Sequence, residues 1–197
     1  DGTKVRDKFN TELWAGIGAE DTPYDAYFGT KMKYVELVVN GEYRGLYGIF
    51  EPVDKTQLAI TDEEYLYKRT YGRALSQELF DSAGPDDYLT VLGMEIKGKK
   101  GNGTSLDWKQ LRQFIAITEE EDEKFAQDAQ QLLDLDNVAD IWIYLQFLYG
   151  EDNIYKNMFF AFKKDTDGYQ GYKLYLVPWD TDLTWGNVYV DSKEELY

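Results

Sequence analysis

Two polar residues, Asp152 and Asn157, are separated by four residues in the stretch YGEDNIYKNMFFAF, directly after an apolar segment. In loops that transfer a phosphoryl group, an Asp orients the acceptor hydroxyl and an Asn five positions later binds a metal ion. The spacing is compatible with such a loop. It is equally compatible with a polar turn, where Asp and Asn are common because their side chains bond to nearby backbone.

A second pair of carboxylates, Asp180 and Asp182, lies in LVPWDTDLTWG. On an extended chain, side chains two residues apart leave on the same face roughly 6 to 7 Å from each other, which allows both to approach one divalent cation. The alternative is a polar turn with a carboxylate cap. The segment is not an EF-hand loop, because Thr184 and Trp185 occupy the places of the third acidic ligand and the glycine.

Cationic and glycine-rich candidates lie in the first half of the chain. Lys68, in YLYKRTYG, could project from an interior strand towards nucleotide phosphates, or extend from an edge strand into solvent. In NGEYRGLYG, Gly41 suits the ordinary Asn-Gly hairpin turn. Gly45 and Gly48 remain open as positions where backbone N–H groups approach a phosphate.

Composition narrows the classes of partner. The formal charge is −16, from 37 acidic and 21 basic residues, which repels a nucleic-acid backbone. The chain has no Cys and no His, which excludes disulfides and the usual zinc ligands and leaves oxygen-bound Mg²⁺, Mn²⁺ or Ca²⁺. No apolar run reaches the roughly 20 residues of a membrane span, and DGTKVRDKFN lacks a signal-peptide core. We expect a soluble segment, with any leader trimmed.

The spacing of apolar residues in the first half predicts mainly strands. A helix over VRDKFNTELWAGIG, ending near residues 16–18, would carry its apolar stripe on Val5, Phe9, Leu13 and Ile17. A β-hairpin should turn at Asn40-Gly41, and EEYLYKRTYG should form a third strand. Residues 72–104 read as a connector, with a boundary in GKKGNGTS at 98–105.

The second half predicts helices followed by a late hairpin. Thr104 or Ser105 would cap a helix with its apolar stripe on Leu111, Phe114 and Ile115, and a charged helix follows. Asp136 or Asn137 would cap VADIWIYLQFLYG, which is apolar on most faces and should lie at the centre of the core. NMFFAFKK, a DTDG turn and YKLYLVP predict a hairpin. The fold class is α+β, in a single domain over 1–197.

Several of these stretches together resemble the CotH kinase family, that is, spore coat protein H and its relatives. The resemblance is carried by YVELVVNGEYRGLYGIFEPVDK, YLYKRTYG, GEDNIYKN and VPWDTDLTWG, and extends from about Val5 to Gly186. Their order, a hairpin, a strand lysine, helices, Asp-x4-Asn and then Asp-x-Asp, is also that of a two-lobed kinase. Gly150-Glu151 replaces the His-Arg of eukaryotic kinases, which points to an atypical member.

The resemblance implies an atypical protein kinase-like two-lobed fold. Residues 1–103 would form a strand-rich N-lobe, and residues 104–197 a mainly helical C-lobe that is incomplete in this segment. It further implies an extracellular or bacterial cell-surface enzyme that uses ATP with Mg²⁺ or Mn²⁺ to phosphorylate Ser or Thr of secreted or coat proteins. For catalysis it implies Lys68 and Asp152. The nucleotide would be bound by Lys68, Glu51 and Gly45, with Glu51 orienting Lys68. The metal would be bound by Asn157, Asp180 and Asp182.

Two other functions stay open at this point. One is a kinase-like scaffold that does not catalyse transfer. The other is a carbohydrate-binding or adhesive module, in which Tyr and Trp side chains stack on sugars and Asp180 and Asp182 hold a structural Ca²⁺. The identity of a protein substrate and the oligomeric state do not follow from the sequence.

Overall fold

The computed structural model describes residues 5–21, 29–72, 74–82, 90–91, 93–97 and 108–187. These residues form helices and two antiparallel sheets. The predicted α+β class is therefore confirmed.

The first element is helix α1 (Arg6–Asp21), which continues beyond its predicted end at residues 16–18. Its predicted apolar stripe is confirmed in part. Leu13 and Ile17 pack against the core. In contrast, Val5 and Phe9 are 58% and 48% exposed, and the buried positions are Asn10 and Trp14. Trp14 packs on Tyr144 with ring centroids 5.2 Å apart. The helix thus presents a mixed polar and aromatic face to the rest of the protein.

Strands β1 (Met32–Val39) and β2 (Glu42–Phe50) form the predicted hairpin as a separate two-stranded sheet. Its turn residues Asn40 and Gly41 have φ values of 53° and 82°, the left-handed conformation that a tight two-residue turn requires. Most side chains of both strands are exposed. The hairpin therefore depends on its own turn and ladder more than on burial.

The larger sheet has the strand order β4-β5-β3-β6-β7, with antiparallel neighbours throughout. Its strands are β3 (Tyr65–Arg69), β4 (Thr90–Val91), β5 (Met94–Ile96), β6 (Met158–Tyr169) and β7 (Tyr172–Pro178). Because β3 pairs with β6, one sheet joins the two predicted parts 1–103 and 104–197. Two separate lobes are not visible in the described residues, and that division stays a prediction.

The predicted connector over residues 72–104 is wrong in part. Helix α2 (Gln77–Ser82) and strands β4 and β5 lie within it. Phe80 and Met94 are buried core residues, so isolated apolar side chains order a segment that is otherwise rich in Gly, Ser and Asp. The proposed boundary at 98–105 and the caps Thr104 and Ser105 lie outside the described residues.

Within residues 108–187 the structure has four helices: α3 (Lys109–Thr118), α4 (Asp122–Leu132), α5 (Leu135–Leu148) and α6 (Glu151–Tyr155). The predicted stripe of α3 is confirmed, with Leu111 and Ile115 fully buried and Phe114 packed against the core. The charged helix α4 is also confirmed. Among the described helices, none combines the length and apolarity that crossing a membrane would require.

Helix α5 differs from its prediction in both its cap and its burial. Asp134 caps it by accepting a hydrogen bond from the backbone N–H of Asn137 at 3.0 Å, so neither predicted cap residue is used. Only one face is buried, and Trp142 and Phe147 on the other face are 61% and 60% exposed. Apolar composition alone had suggested a central helix.

The large sheet separates two hydrophobic clusters. Tyr67, Phe160 and Phe162 point to the side that carries the helices, whereas their strand neighbours, including Leu66 and Phe159, point to the other side. By the same alternation Lys68 shares the face of Leu66. The candidate lysine therefore lies on the face opposite the main core.

The hairpin of β6 and β7 turns at Gln170-Gly171, whose φ values are 48° and 85°. The predicted DTDG turn is wrong, because those residues continue β6 through a register shift between Lys164 and Tyr169. A Cβ atom on Gly168 would lie 2.3 Å from the carbonyl oxygen of Tyr172. That glycine serves close strand approach instead of a turn.

Candidate active site

The Asp-x4-Asn stretch begins where helix α5 ends. Tyr149 adopts a left-handed conformation, with φ of 54°, and the N–H of Gly150 donates to the carbonyl oxygen of Leu145 at 2.9 Å. The chain then enters the short helix α6, which contains Asp152. Gly150 and Glu151 therefore form a tight helix-to-helix junction.

Asp152 and Asn157 are in direct contact across the end of α6. The Asn157 Nδ2 donates to Asp152 Oδ2 at 2.9 Å, and the Lys156 ammonium lies 3.2 Å from Asp152 Oδ1. The carboxylate is thus oriented by one partner on each oxygen. The two residues that the sequence pattern singled out are therefore neighbours in the structure, and their catalytic and metal-binding roles stay predictions.

The backbone of Asn157 links this loop to the segment after β7. The carbonyl oxygen of Asn157 accepts from the Trp179 N–H at 2.9 Å, and Asn157 Nδ2 lies 3.5 Å from the carbonyl oxygen of Asp180. Buried Asn153 reinforces the link by donating to the carbonyl oxygens of Asn157 and Trp179 at 3.2 and 2.8 Å. The two candidate metal ligands are therefore held side by side.

Asn157 and Asp180 share an unusual backbone conformation, with φ values of 56° and 54°. Non-glycine residues with positive φ are uncommon, although Asn and Asp tolerate the conformation best. Such residues concentrate at functional sites, where the surrounding structure holds them in place. The hairpin turns at Asn40 and Gln170 have the same conformation, so this conformation marks Asn157 and Asp180 as turn positions and does not by itself assign them a function.

Lys68 reaches the same region from β3. Its neighbour across the sheet is Phe159, and its ammonium lies 5.6 Å from the ring centroids of both Phe159 and Trp179. Loss of hydration and the nearby Lys97 lower the pKa of Lys68, and the carboxylates of Glu95 and, to a smaller extent, Asp180 oppose that shift. The lysine is thus an oriented cation close to Asp180.

Three carboxylates form an acidic group at this end of the molecule. Loss of hydration, followed by the charge of Asp182, raises the pKa of Asp180, which still reaches solvent, and Lys68 partly offsets the shift. Loss of hydration and the charges of Asp182 and Asp180 likewise raise the pKa of Asp7 on α1. Mutual repulsion of this kind is relieved by a bound cation.

The segment 179–187 is fixed to α1 by Asn10, which is fully buried. The Asn10 Nδ2 donates to the carbonyl oxygen of Thr181 at 2.8 Å and to Thr184 Oγ1 at 2.9 Å, and its Oδ1 accepts from Trp185 Nε1 at 2.9 Å. The Trp185 N–H also donates to the Leu148 carbonyl oxygen at 2.7 Å. These contacts hold Asp180 and Asp182 against the helices.

Comparison with known proteins identifies the family of the chain. The family model described as CotH kinase protein matches residues 1–196. The chain belongs to the CotH kinase protein family. Comparison with curated proteins finds no match. Membership suggests kinase function, a kinase-like fold and the use of ATP.

Two residues that the resemblance to CotH kinases assigned to the nucleotide lie in or beside the hairpin. Glu51 is exposed, and its backbone N–H donates to the Lys31 carbonyl oxygen at 2.8 Å. It forms no ion pair with Lys68 among the described residues. Gly45 has φ of 109°, and open space surrounds the position of a Cβ atom. Their roles at the site stay predictions.

Gly48, in the same strand, faces the Met32 side chain. A Cβ atom there would lie 1.9 Å from Met32 Cε, the flexible end of that side chain, so a larger residue would require Met32 to adopt another rotamer.

The donors that the site offers fit a hard divalent cation. In the part of the chain that the structure describes, no three carboxylates converge closely enough to form a metal cage by themselves. Mg²⁺ and Mn²⁺ need fewer protein ligands, since they retain water and bind substrate phosphates. Asp152, Asn157 and Asp180 supply only oxygen ligands, and because Asn157 Nδ2 faces Asp152, its Oδ1 is the amide atom suited to a cation.

Sequence reasoning missed Asp7 and Asn10. Both lie on α1, more than 170 residues from the segment that they approach. Asn10 could have been noticed as a polar residue within an otherwise amphipathic helix pattern. Nothing in the local sequence distinguishes Asp7 from a solvated charge in the first turn of a helix.

Proposed function

We propose that this chain is an ATP-dependent protein kinase that uses Mg²⁺ or Mn²⁺ to phosphorylate Ser or Thr residues of secreted, coat or surface proteins of bacteria. The observation that carries the proposal is that four candidate residues lie close together. They are Lys68 on β3, Asp152 on α6, Asn157 directly after α6 and Asp180 directly after β7. Family membership supports phosphoryl transfer. The location and the class of acceptor rest on the resemblance to spore coat protein H.

In this proposal the cation site comprises Asn157 Oδ1 and the Asp180 carboxylate, with Asp182 as a neighbouring charge. A divalent cation bound there supplies neutralisation of phosphate charge. Lys68 then provides a fixed positive charge for the phosphate oxygens, positioned by its contacts with Phe159 and Trp179. The acidic surroundings make such neutralisation essential, because ATP would otherwise be repelled.

Asp152 is the proposed acceptor-orienting group. Its Oδ2 and Oδ1 are held by Asn157 and Lys156, so the carboxylate can accept a hydrogen bond from a Ser or Thr hydroxyl in a defined direction. In the transfer, the acceptor oxygen forms a bond to the γ-phosphorus. The bond from that phosphorus to the β–γ bridging oxygen breaks, ADP leaves, and Asp152 receives the hydroxyl proton.

The division into an N-lobe-like part over 1–103 and a C-lobe-like part over 104–197 belongs to the same proposal. Its support is the order of the motifs along the chain. The shared sheet means that any movement between the parts would have to bend β3 against β6.

Incubation with labelled ATP, Mn²⁺ or Mg²⁺ and a Ser/Thr-rich peptide tests the function. We expect label on the peptide or on the chain itself, and a loss of about 100-fold or more in Asp180→Asn and Asp152→Ala. Asp167→Asn, an exposed carboxylate in β6, is the matched control and should retain wild-type transfer. Equal labelling by wild type and Asp180→Asn would refute the proposal. Saturable ATP binding without transfer would identify a scaffold instead.

A further inference from the structure

Three charged side chains lie together on the face of the large sheet that carries Lys68. In the register of β3 with β5, Lys68 is directly opposite Glu95. Residues paired in this way share one face of an antiparallel sheet, with Cβ atoms roughly 4.5–5.5 Å apart. Lys97 continues the ladder beyond β5, because its backbone N–H donates to the Leu66 carbonyl oxygen at 2.7 Å. Side chains two residues apart on a strand point the same way, so Lys97 shares the face of Glu95.

The two lysines share one carboxylate. The Lys97 ammonium lies 2.6 Å from Glu95 Oε2, and the two side chains are 41% and 31% exposed, so a solute can reach both. Lys68 forms no ion pair within the part of the chain that the structure describes. Two ammonium groups therefore face one carboxylate on this side of β3. The excess of positive charge is unusual in a chain whose formal charge is −16.

The charges of the three groups act on one another. Loss of hydration lowers the pKa of Lys68, the charge of Lys97 lowers it further, and Glu95 opposes the shift more strongly than Asp180 does. One carboxylate thus leaves part of the repulsion between the two ammonium groups uncompensated. An anion that accepts hydrogen bonds from both lysines would remove that repulsion, and phosphate oxygens are strong acceptors of this kind.

The order of the strands places this cluster beside the proposed metal site without using the metal ligands. Strands β5 and β6 flank β3 on opposite sides. Lys97 therefore lies on one side of Lys68, and the aromatic rings of Phe159 and Trp179 lie on the other, next to Asp180. A polyphosphate that extends from a cation at Asp180 past Lys68 would continue towards Lys97.

We propose that Lys97 is a second phosphate-binding residue of the nucleotide site, and that Glu95 is its counter-ion until phosphate takes that place. The inference rests on the proposed function, because it names a further residue that holds the nucleotide. Lys68 and Lys97 then contact oxygens of the same polyphosphate. The exchange costs little, since an exposed ion pair such as that of Lys97 with Glu95 contributes little stability.

Inorganic tripolyphosphate with Mg²⁺ is the probe, because it reports phosphate contacts without a base or a ribose. Titration calorimetry of the full chain measures its affinity, and Lys97→Met should weaken binding about fivefold. Lys109→Met is the matched control, since Lys109 is the exposed first residue of α3, a helix that packs on the other side of the sheet. Absence of saturable binding to wild type, unchanged affinity in Lys97→Met, or equal weakening in Lys109→Met would overturn the proposal.

Glu95→Gln distinguishes a phosphate contact from a structural ion pair. It removes the carboxylate that competes for Lys97, so tripolyphosphate binding should become about threefold tighter. Lys97→Met breaks the same ion pair and should have the opposite effect on affinity. An ion pair that only ordered β5 would give changes of the same sign in both variants, and that result would contradict the proposal. The thermal midpoints of both variants should stay close to that of wild type.

Transfer from labelled ATP, measured on the same preparations, separates this inference from the proposed function. Transfer by wild type, together with normal tripolyphosphate binding in Lys97→Met, would refute the role of Lys97 alone. Tripolyphosphate binding that depends on Lys97, without transfer by wild type, would refute the kinase function and support the phosphate site.

Discussion

The segment that follows β7 and the β1–β2 hairpin both carry candidate site residues, yet they are attached to the protein in different ways. Residues 179–187 are held by hydrogen bonds to the buried Asn10 and to the end of α5. The hairpin exposes most of its side chains, and one of its contacts with the site is the edge-on approach of Phe50 to Trp179 at 6.3 Å.

This difference indicates which contacts determine the position of each candidate site residue. Asp180 is placed by buried polar contacts from distant parts of the chain, which are costly to break because the groups left behind cannot reach water. Gly45 is placed by a local turn and a strand ladder. Substitutions at the anchors of residues 179–187 should therefore affect the whole protein, whereas hairpin substitutions should have local effects.

The largest expected effect is that of Asn10→Leu. It leaves Trp185 Nε1 without its partner and removes one of two hydrogen bonds at the Thr181 carbonyl oxygen and at Thr184 Oγ1, which still bond to each other. We expect a loss of about 3 kcal/mol in the free energy of unfolding. Urea denaturation followed by circular dichroism measures it. Val38→Ala, at a 57% exposed hairpin position, should cost under about 1 kcal/mol. Comparable losses in the two variants would contradict the comparison.

The next effect concerns activity. Lys68→Met retains the length and the apolar stem but removes the ammonium, and we expect transfer from ATP to fall about 30-fold. Because burial disfavours the charged lysine, the free energy of unfolding should not decrease. Steady-state transfer rates and urea denaturation of the same preparation test both statements. A destabilised variant with normal transfer would show that Lys68 is structural.

How far the sequence predicts this molecule depends on whether a feature is local. The Asn40-Gly41 turn, the stripe of α3 and the strand around Lys68 follow from short-range chemistry, and each is present. The contact of Asp152 with Asn157 also lies within six residues.

Features that depend on distant partners were not predictable. The buried face of α1 is polar because Asn10 bonds to residues 179–187, which are distant in sequence. One face of α5 is exposed because the described residues of the protein pack on its other face alone. Helix α2 and strand β5 are ordered by single buried residues, Phe80 and Met94, within a polar composition. A pattern of one chain segment does not contain that information.

A smaller effect is expected from the pH dependence of Asp180→Asn. Since the pKa of Asp180 is raised in the folded protein, its ionisation disfavours folding above that pKa. Without metal, the variant should be more stable than wild type at neutral pH, by less than about 1 kcal/mol because the carboxylate is exposed. The gain should shrink as the pH falls through the raised pKa of Asp180, and it should disappear below the usual carboxyl value of 3.8, where this group is protonated in both the folded and the unfolded wild type. Urea denaturation of both proteins at several pH values measures this difference in stability. A stability gain of the variant that grows as the pH falls would contradict the prediction.

The smallest effect should come from Glu51→Gln beside the hairpin. Glu51 is exposed and forms no ion pair with Lys68 among the described residues, so we expect a change below about 0.5 kcal/mol in the free energy of unfolding and less than about threefold in transfer rate. The transfer rate of Lys68→Met, measured in the same assay, is the reference for this comparison. If Glu51→Gln reduced transfer as strongly as Lys68→Met, the two side chains would have to meet when ATP is bound. The hairpin would then move towards β3 in the catalytic state, and the contrast between the anchored segment and the exposed hairpin would become one between a fixed and a mobile part of the same site.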